Sequence, residues 1–213
     1  MLPTIIALLA SYLIGSIPTA FLFGKFLKGI DIRKEGSGNV GATNALRVLG
    51  KKAGITVLIL DILKGLVVVS FLGDFFLSKE LLYPAQNLRI IMGLTCICGH
   101  NWTIFLRFRG GKGIATSLGV LLGLALRING LYIVIGILVF IWFFVFFLSK
   151  IVSLASIIAA IGLPIACIFL KQSRLMISVA SLLCVFVIIR HRANLVRIFH
   201  GKEPRLSFNK SKN

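Results

Sequence analysis

The chain has 213 residues, 58% hydrophobic and 14% charged, and carries 24 Lys and Arg against 6 Asp and Glu for a net charge of +18. Soluble domains carry about 25% charged residues, so this composition, with a mean hydropathy of +1.00, excludes an ordinary water-soluble globule. It also points away from nucleic acid: the basic residues fall between apolar runs with no aromatic-interleaved surface beside them, and membrane topology with an anionic ligand explains them better.

A membrane helix needs about 20 mostly apolar residues. The first such run, 2–23, lacks the basic start and small-residue cleavage site of a signal peptide and contains Tyr12 and Pro18, so it is read as a retained span. A polar segment rich in Gly and basic residues follows over 24–52. The second run, 54–77, holds Asp61 and Lys64 about one turn apart; an ion pair within the helix and a contact to a ligand site both fit, since charges at such depth are costly unless paired or facing a polar cavity. The third run is 88–106 and the fourth 114–126. Thirteen helical residues reach only about 20 Å against a hydrocarbon core of about 30 Å, so the fourth is tilted, extended into its flanks, or only partly inserted. Runs 130–148, 151–170 and 175–190 and a basic tail complete the chain. Cys96, Cys98, Cys167 and Cys184 all lie in apolar segments without metal or redox spacing and are read as small buried residues.

These runs predict an all-α fold: one polytopic transmembrane helix bundle over residues 1–213, with about seven spans and no internal repeat. With the N-terminus outside and the C-terminus in the cytoplasm, eighteen Lys and Arg fall in inner loops and five outside, Lys64 being within a span. The positive-inside rule favours that orientation. It gathers 24–52, 107–113 and 191–213 on the cytoplasmic face, where one shared site for an anionic substrate is the economical explanation.

The first of these segments reads Gly36-Ser37-Gly38-Asn39-Val40-Gly41-Ala42-Thr43-Asn44-Ala45-Leu46-Arg47. Its glycines allow close backbone approach and an anion-binding nest of N–H groups. Ser37, Asn39, Thr43 and Asn44 add neutral hydrogen-bonding groups, and Arg47 a fork suited to phosphate. The second, 99–116, contains Gly110-Gly111-Lys112-Gly113 just before a helix, a ready phosphate cradle. It fails as a nucleotide P-loop: the required earlier Gly is missing, and Gly113 stands where Ser or Thr would bind magnesium. His100 serves equally as a ligand group or as a structural hydrogen-bonder. In the third, 190–203, His191 and Asn194 lie three apart on one helical face with Leu195 and Arg197 near, whereas Arg192 and Lys202 also suit a positive-inside anchor. Paired carboxylates, a Ser–His–Asp order and a His/Cys metal cluster are not evident in the sequence.

Together GSGNVGATNALR (36–47), GHNWTIFLRFRGGKGIAT (99–116) and RHRANLVRIFHGKE (190–203) resemble, in order and over nearly the whole chain, the three cytoplasmic motifs of the bacterial acyl-phosphate:glycerol-3-phosphate acyltransferases. Thr103 departs from the proline or serine common at its position. The resemblance implies an inner-membrane enzyme of phospholipid synthesis that converts acyl phosphate and sn-glycerol 3-phosphate to 1-acylglycerol 3-phosphate and phosphate. It implies no cofactor or metal and no nucleic-acid partner; membrane lipids surround the enzyme, and a monomer is compatible with the reading. Carried onto this chain, it makes Ser37, His191 and Asn194 the catalytic candidates. The substrate-binding set is Gly36, Gly38, Asn39, Gly41, Thr43, Asn44, Arg47, His100, Gly110, Gly111, Lys112, Gly113 and Arg192. The proton of the attacking hydroxyl would go to His191 or to the phosphate of the donor, and no motif group is an evident orienter for His191. An anion transporter is the rival class, disfavoured because only Asp61 and Lys64 are obviously polar within the spans; a purely structural subunit would leave the Gly- and Asn-rich segments unexplained.

Overall fold

The computed structural model describes residues 2–77 and 84–206, and among these the regular structure is helical. Lys79, Lys210 and Lys212 of the charge count lie outside the described residues. The helices are α1 (Leu2–Ser16), α2 (Thr19–Lys28), α3 (Ala42–Leu49), α4 (Lys51–Val67), α5 (Gly73–Leu77), α6 (Ala85–Asn101), α7 (Ile114–Ala125), α8 (Leu131–Ser149), α9 (Val152–Phe169), α10 (Arg174–Arg190) and α11 (Arg192–Phe199). Among the described residues four stretches, against the seven apolar runs read from the sequence, are long and apolar enough to cross a membrane: Leu2–Lys28, Lys51–Phe76, Leu131–Ser149 and Val152–Phe169. The α10–α11 pair, bent by 61°, is a fifth when taken as one span. Helix α7 is apolar but short, as the sequence anticipates for 114–126.

The chain divides into two compact units, Met1–Leu131 and Tyr132–Asn213. In the first, α1 packs on α6, and α4 packs on α7 and α3. Small residues let the backbones touch, as membrane interfaces favour: a Cβ at Gly15 would strike the Cys96 carbonyl, and one at Gly119 the Ile62 carbonyl. Two breaks shape this unit. Pro18 has no N–H and stops α1, which leaves carbonyls at its end to be satisfied elsewhere. The Ser16 carbonyl accepts from the Thr103 hydroxyl at 2.6 Å, and the Ile17 carbonyl from Lys64 Nζ at 3.2 Å. The second is a π-helical turn at Val68–Leu72, a form that occurs as single turns inside α-helices. There the buried Arg89 donates to the Val69 carbonyl at 2.6 Å and pairs with Asp74.

In the second unit α9 packs on α10 and α11. Trp142 Nε1 of α8 donates to Ser156 Oγ of α9 at 3.1 Å. The uniformly apolar α8 exposes Phe140, Phe143, Phe144 and Phe147, a face suited to lipid.

Candidate active site

In the first unit, two of the three motif segments meet over a common apolar core. Ala20, Ile32, Val40, Ala45, Val57 and Leu106 form it, so the floor of the 36–41 loop and the 104–106 turn share one packing layer. Above that core the first loop turns through Gly36 (φ 60°) and Gly38 (φ 71°), left-handed conformations that a side chain would strain. Asn44 sits beneath it, 1% exposed. Its Oδ1 accepts from the Ser37 N–H at 2.9 Å, and its Nδ2 donates to the carbonyls of Ile32 and Glu35 at 3.2 and 3.0 Å. Asn44 therefore shapes the loop from inside, while Ser37 and Arg47 are exposed and Asn39 and Thr43 half-buried. Nearby, Arg33 hydrogen-bonds to Asp31, and this holds the Asp31 carboxyl down at about 2 against the opposing effect of desolvation.

The second loop is clamped to the end of α6. The Gly110 N–H donates to the Asn101 carbonyl at 3.1 Å and the Gly111 N–H to the His100 carbonyl at 3.0 Å. Both glycines are required by close approach: a Cβ at Gly110 would meet the His100 carbonyl, and one at Gly111 the His100 ring at Nε2 and the Val40 carbonyl. The two loops and His100 thus converge at one point. Gly113 (φ 81°) then starts α7, whose N-terminal N–H groups favour an anion. Lys112 beside it is half-buried. Thr103 explains itself here: besides its bond to Ser16, it accepts from the Phe105 N–H at 3.3 Å and caps the 104–106 turn.

Beneath the second loop lies a charge network. Asp61 and Lys64 are ion-paired at 2.8 Å, Thr19 Oγ1 donates to Asp61 at 2.6 Å, and Lys64 Nζ lies 2.7 Å from His100 Nδ1. Of the two alternatives the sequence leaves for this pair, the structure shows the intrahelical ion pair, and Lys64 also reaches His100 of the second motif.

The third segment builds a cluster in the second unit. His191 ends α10, is 3% exposed, and lies with Nδ1 2.8 Å from the Val187 carbonyl. A carbonyl can only accept, so Nδ1 carries a proton at this contact. This is the orienter that sequence reasoning did not find; it belongs to the backbone one turn earlier. Asn194 donates to Glu203 Oε1, as does Ser153 Oγ at 2.7 Å, while Arg197 Nε donates to Oε2 at 2.7 Å. Burial pushes the Glu203 carboxyl up, but the bonds from Ser153, Asn194 and Arg197 outweigh it and hold it below the ordinary range. Glu203 and Ser153 were not among the sequence candidates, whereas Arg192 is exposed at the start of α11. Among the described residues no three His, Cys, Asp or Glu side chains gather in a way that could hold a metal ion.

A family model described as glycerol-3-phosphate acyltransferase matches residues 5–201. A glycerol-3-phosphate acyltransferase of Staphylococcus haemolyticus (strain JCSC1435) is 43% identical over 207 residues, covering 96% of this chain and 98% of the relative. One from Staphylococcus aureus (strain Newman) matches at the same identity and coverage. Among solved structures, PlsY (YgiH), an integral membrane glycerol 3-phosphate acyltransferase, in its glycerol 3-phosphate form gives a TM-score of 0.83 at 34% identity over 96% of both chains. Its lysophosphatidic acid form gives 0.80 at 33% identity, over 96% of this chain and 95% of that one.

Proposed function

The chain belongs to the glycerol-3-phosphate acyltransferase family, and we propose that it transfers an acyl group from acyl phosphate to sn-glycerol 3-phosphate at the cytoplasmic face of the bacterial inner membrane. The products are 1-acylglycerol 3-phosphate (lysophosphatidate) and inorganic phosphate. The glycerol hydroxyl attacks the acyl carbon, the bond from that carbon to the phosphate oxygen breaks, and the hydroxyl proton passes to a base. An acyl phosphate is already activated, so positioning and charge stabilisation supply the rate without a covalent enzyme intermediate.

The observation that carries this reading is the convergence of the two glycine loops at His100, Gly111 and Val40. The backbone of Gly36, Gly38, Gly41, Gly110, Gly111 and Gly113 binds phosphate oxygens, helped by Asn39 and Thr43. Arg47, Lys112 and Arg192 neutralise charge, and Asn44 and His100 hold the loops in shape. Ser37 and Asn194 orient the hydroxyl or the acyl carbonyl. His191, set by Val187, is the base; its Nε2 is the end able to accept a proton. The whole chain, residues 1–213, works as one monomeric acyltransferase that needs no cofactor. It crosses the membrane about seven times, N-terminus outside and C-terminus inside; the eighteen-to-five distribution of Lys and Arg supports that orientation.

The test is direct. Purified protein in lipid, given acyl phosphate and labelled glycerol 3-phosphate, forms labelled lysophosphatidate; acyl-coenzyme A in place of acyl phosphate yields none. Folded protein that makes no labelled product from acyl phosphate would overturn the assignment.

A further inference from the structure

Asp61, Lys64 and His100 take no part in the bond changes described above, yet they are 1%, 7% and 8% exposed. Two full charges within an apolar helix are costly, and a pair serving stability alone gains little over apolar residues of similar size. This pair does more than neutralise itself. The Lys64 ammonium has three protons and three acceptors: Asp61 Oδ1 at 2.8 Å, the Ile17 carbonyl at 3.2 Å and His100 Nδ1 at 2.7 Å. Thr19 Oγ1 holds Asp61 in turn at 2.6 Å.

An ammonium has no lone pair, so at this contact His100 Nδ1 must accept. The ring is then neutral and its proton sits on Nε2. The opposite arrangement, a neutral amine beside an imidazolium, moves the proton from the stronger base type to the weaker one, and it takes the positive charge from 2.8 Å to 3.7 Å from Asp61 Oδ1. Nε2 is the atom that a Cβ on Gly111 would strike, next to the Val40 carbonyl. The protonated end of the ring therefore lies where the two glycine loops meet.

We infer that the buried Asp61–Lys64 pair is a positioning device for the site: it fixes His100 with its proton on Nε2, and His100 so oriented sets the Gly110–Gly111 turn against the Val40 end of the first loop. Asp61, Lys64 and His100 are thus positioning residues for the phosphate-bearing substrate. The inference rests on the phosphate role proposed for those loops.

Three measurements test it on the full chain in lipid. Nitrogen-15 NMR of histidine-labelled protein, with His100 assigned by its loss in His100→Gln, shows Nε2 protonated and Nδ1 bare in the wild type. Lys64→Met strands a buried carboxylate and lowers Tm. The double variant Asp61→Leu/Lys64→Met removes both charges and recovers Tm, but kcat/KM for glycerol 3-phosphate stays down about 100-fold, mostly in KM. His100→Gln, which keeps an amide N–H near the place of Nε2–H, retains more substrate affinity than His100→Leu. A wild-type ring with its proton on Nδ1 overturns the inference, and so does a double variant that recovers both Tm and KM. If the double variant does not fold, equal losses of affinity in His100→Gln and His100→Leu overturn it, and a smaller loss in Gln supports it. Absence of acyl transfer in the wild type would defeat the function proposed above, while the NMR result still reports the state of His100.

Discussion

In the first unit, buried side chains hold backbone: Asn44 lies under the 36–41 loop, and His100, backed by Asp61 and Lys64, lies under the 110–111 turn. In the second unit the order is reversed. Backbone and one carboxylate hold side chains, the Val187 carbonyl fixing His191 and Glu203 gathering Asn194, Arg197 and Ser153. The two arrangements suit two tasks. Binding a tetrahedral oxyanion calls for several N–H groups in a set curve, which glycine-rich backbone supplies once it is braced. Moving a proton calls for a ring whose tautomer is fixed, which one hydrogen bond to a carbonyl supplies. Substitutions that displace the braced backbone of the glycine loops are therefore expected to act mainly on KM, and substitution of His191 itself on kcat.

The largest effect that would sharpen this contrast is at His191. His191→Ala is expected to lower kcat by about 10²- to 10⁴-fold, the usual contribution of a general base, with KM for glycerol 3-phosphate nearly unchanged in steady-state assays. Gly111→Ala comes next. Its methyl would strike the His100 ring and the Val40 carbonyl, and a displacement of the loop by about 1 Å is expected to cost about 100-fold in kcat/KM, chiefly through KM.

Glu203→Gln should have a smaller and different signature. It leaves the buried Ser153 and Asn194 donors poorly matched, at about 1–3 kcal/mol per unsatisfied buried group, readable as a fall in Tm. The pH dependence has a definite sign. The folded carboxyl is held below its ordinary value, so the stability it adds is fully present above that ordinary value and is lost as pH falls through the lowered one. Glu203→Gln should remove this acid-side slope from the Tm profile. The smallest effect is expected at Asp31→Asn. The exposed pair with Arg33 contributes under about 1 kcal/mol, and asparagine keeps the cap on the 32–34 turn. An Asp31→Asn protein with a large loss of kcat would break the contrast, because no proton-transfer role is placed on that loop.

Much of the fold was legible because apolar runs and helix ends share the same chemistry. The runs predicted over 130–148, 151–170 and 175–190 appear as Leu131–Ser149, Val152–Phe169 and Arg174–Arg190. The break at Ile17–Pro18 follows from a proline already visible in the first run, but the π-helical turn at Val68–Leu72 carries no proline or glycine, and its one polar residue, Ser70, does not mark it. Within the site, the glycine loops were readable because glycine spacing encodes backbone conformation. The orienter of His191 was not, because a backbone carbonyl has no residue identity. The role of Glu203 as the acceptor of Ser153, Asn194 and Arg197 is not legible in the sequence, since Ser153 lies fifty residues away and the turn after α11 that brings the carboxylate back to Asn194 and Arg197 carries no distinct pattern. Residue type alone points Asn44 toward a ligand, while the structure commits its amide to Ser37, Ile32 and Glu35.

The division of labour between the two units is tested most directly by measuring kcat and KM for glycerol 3-phosphate side by side in His191→Gln and Gly111→Ala, with acyl phosphate saturating and folding checked by Tm. The account predicts a loss carried by kcat in His191→Gln and by KM in Gly111→Ala. A His191→Gln enzyme with near wild-type kcat and raised KM would contradict it, and would pass the role of base to the phosphate of the donor.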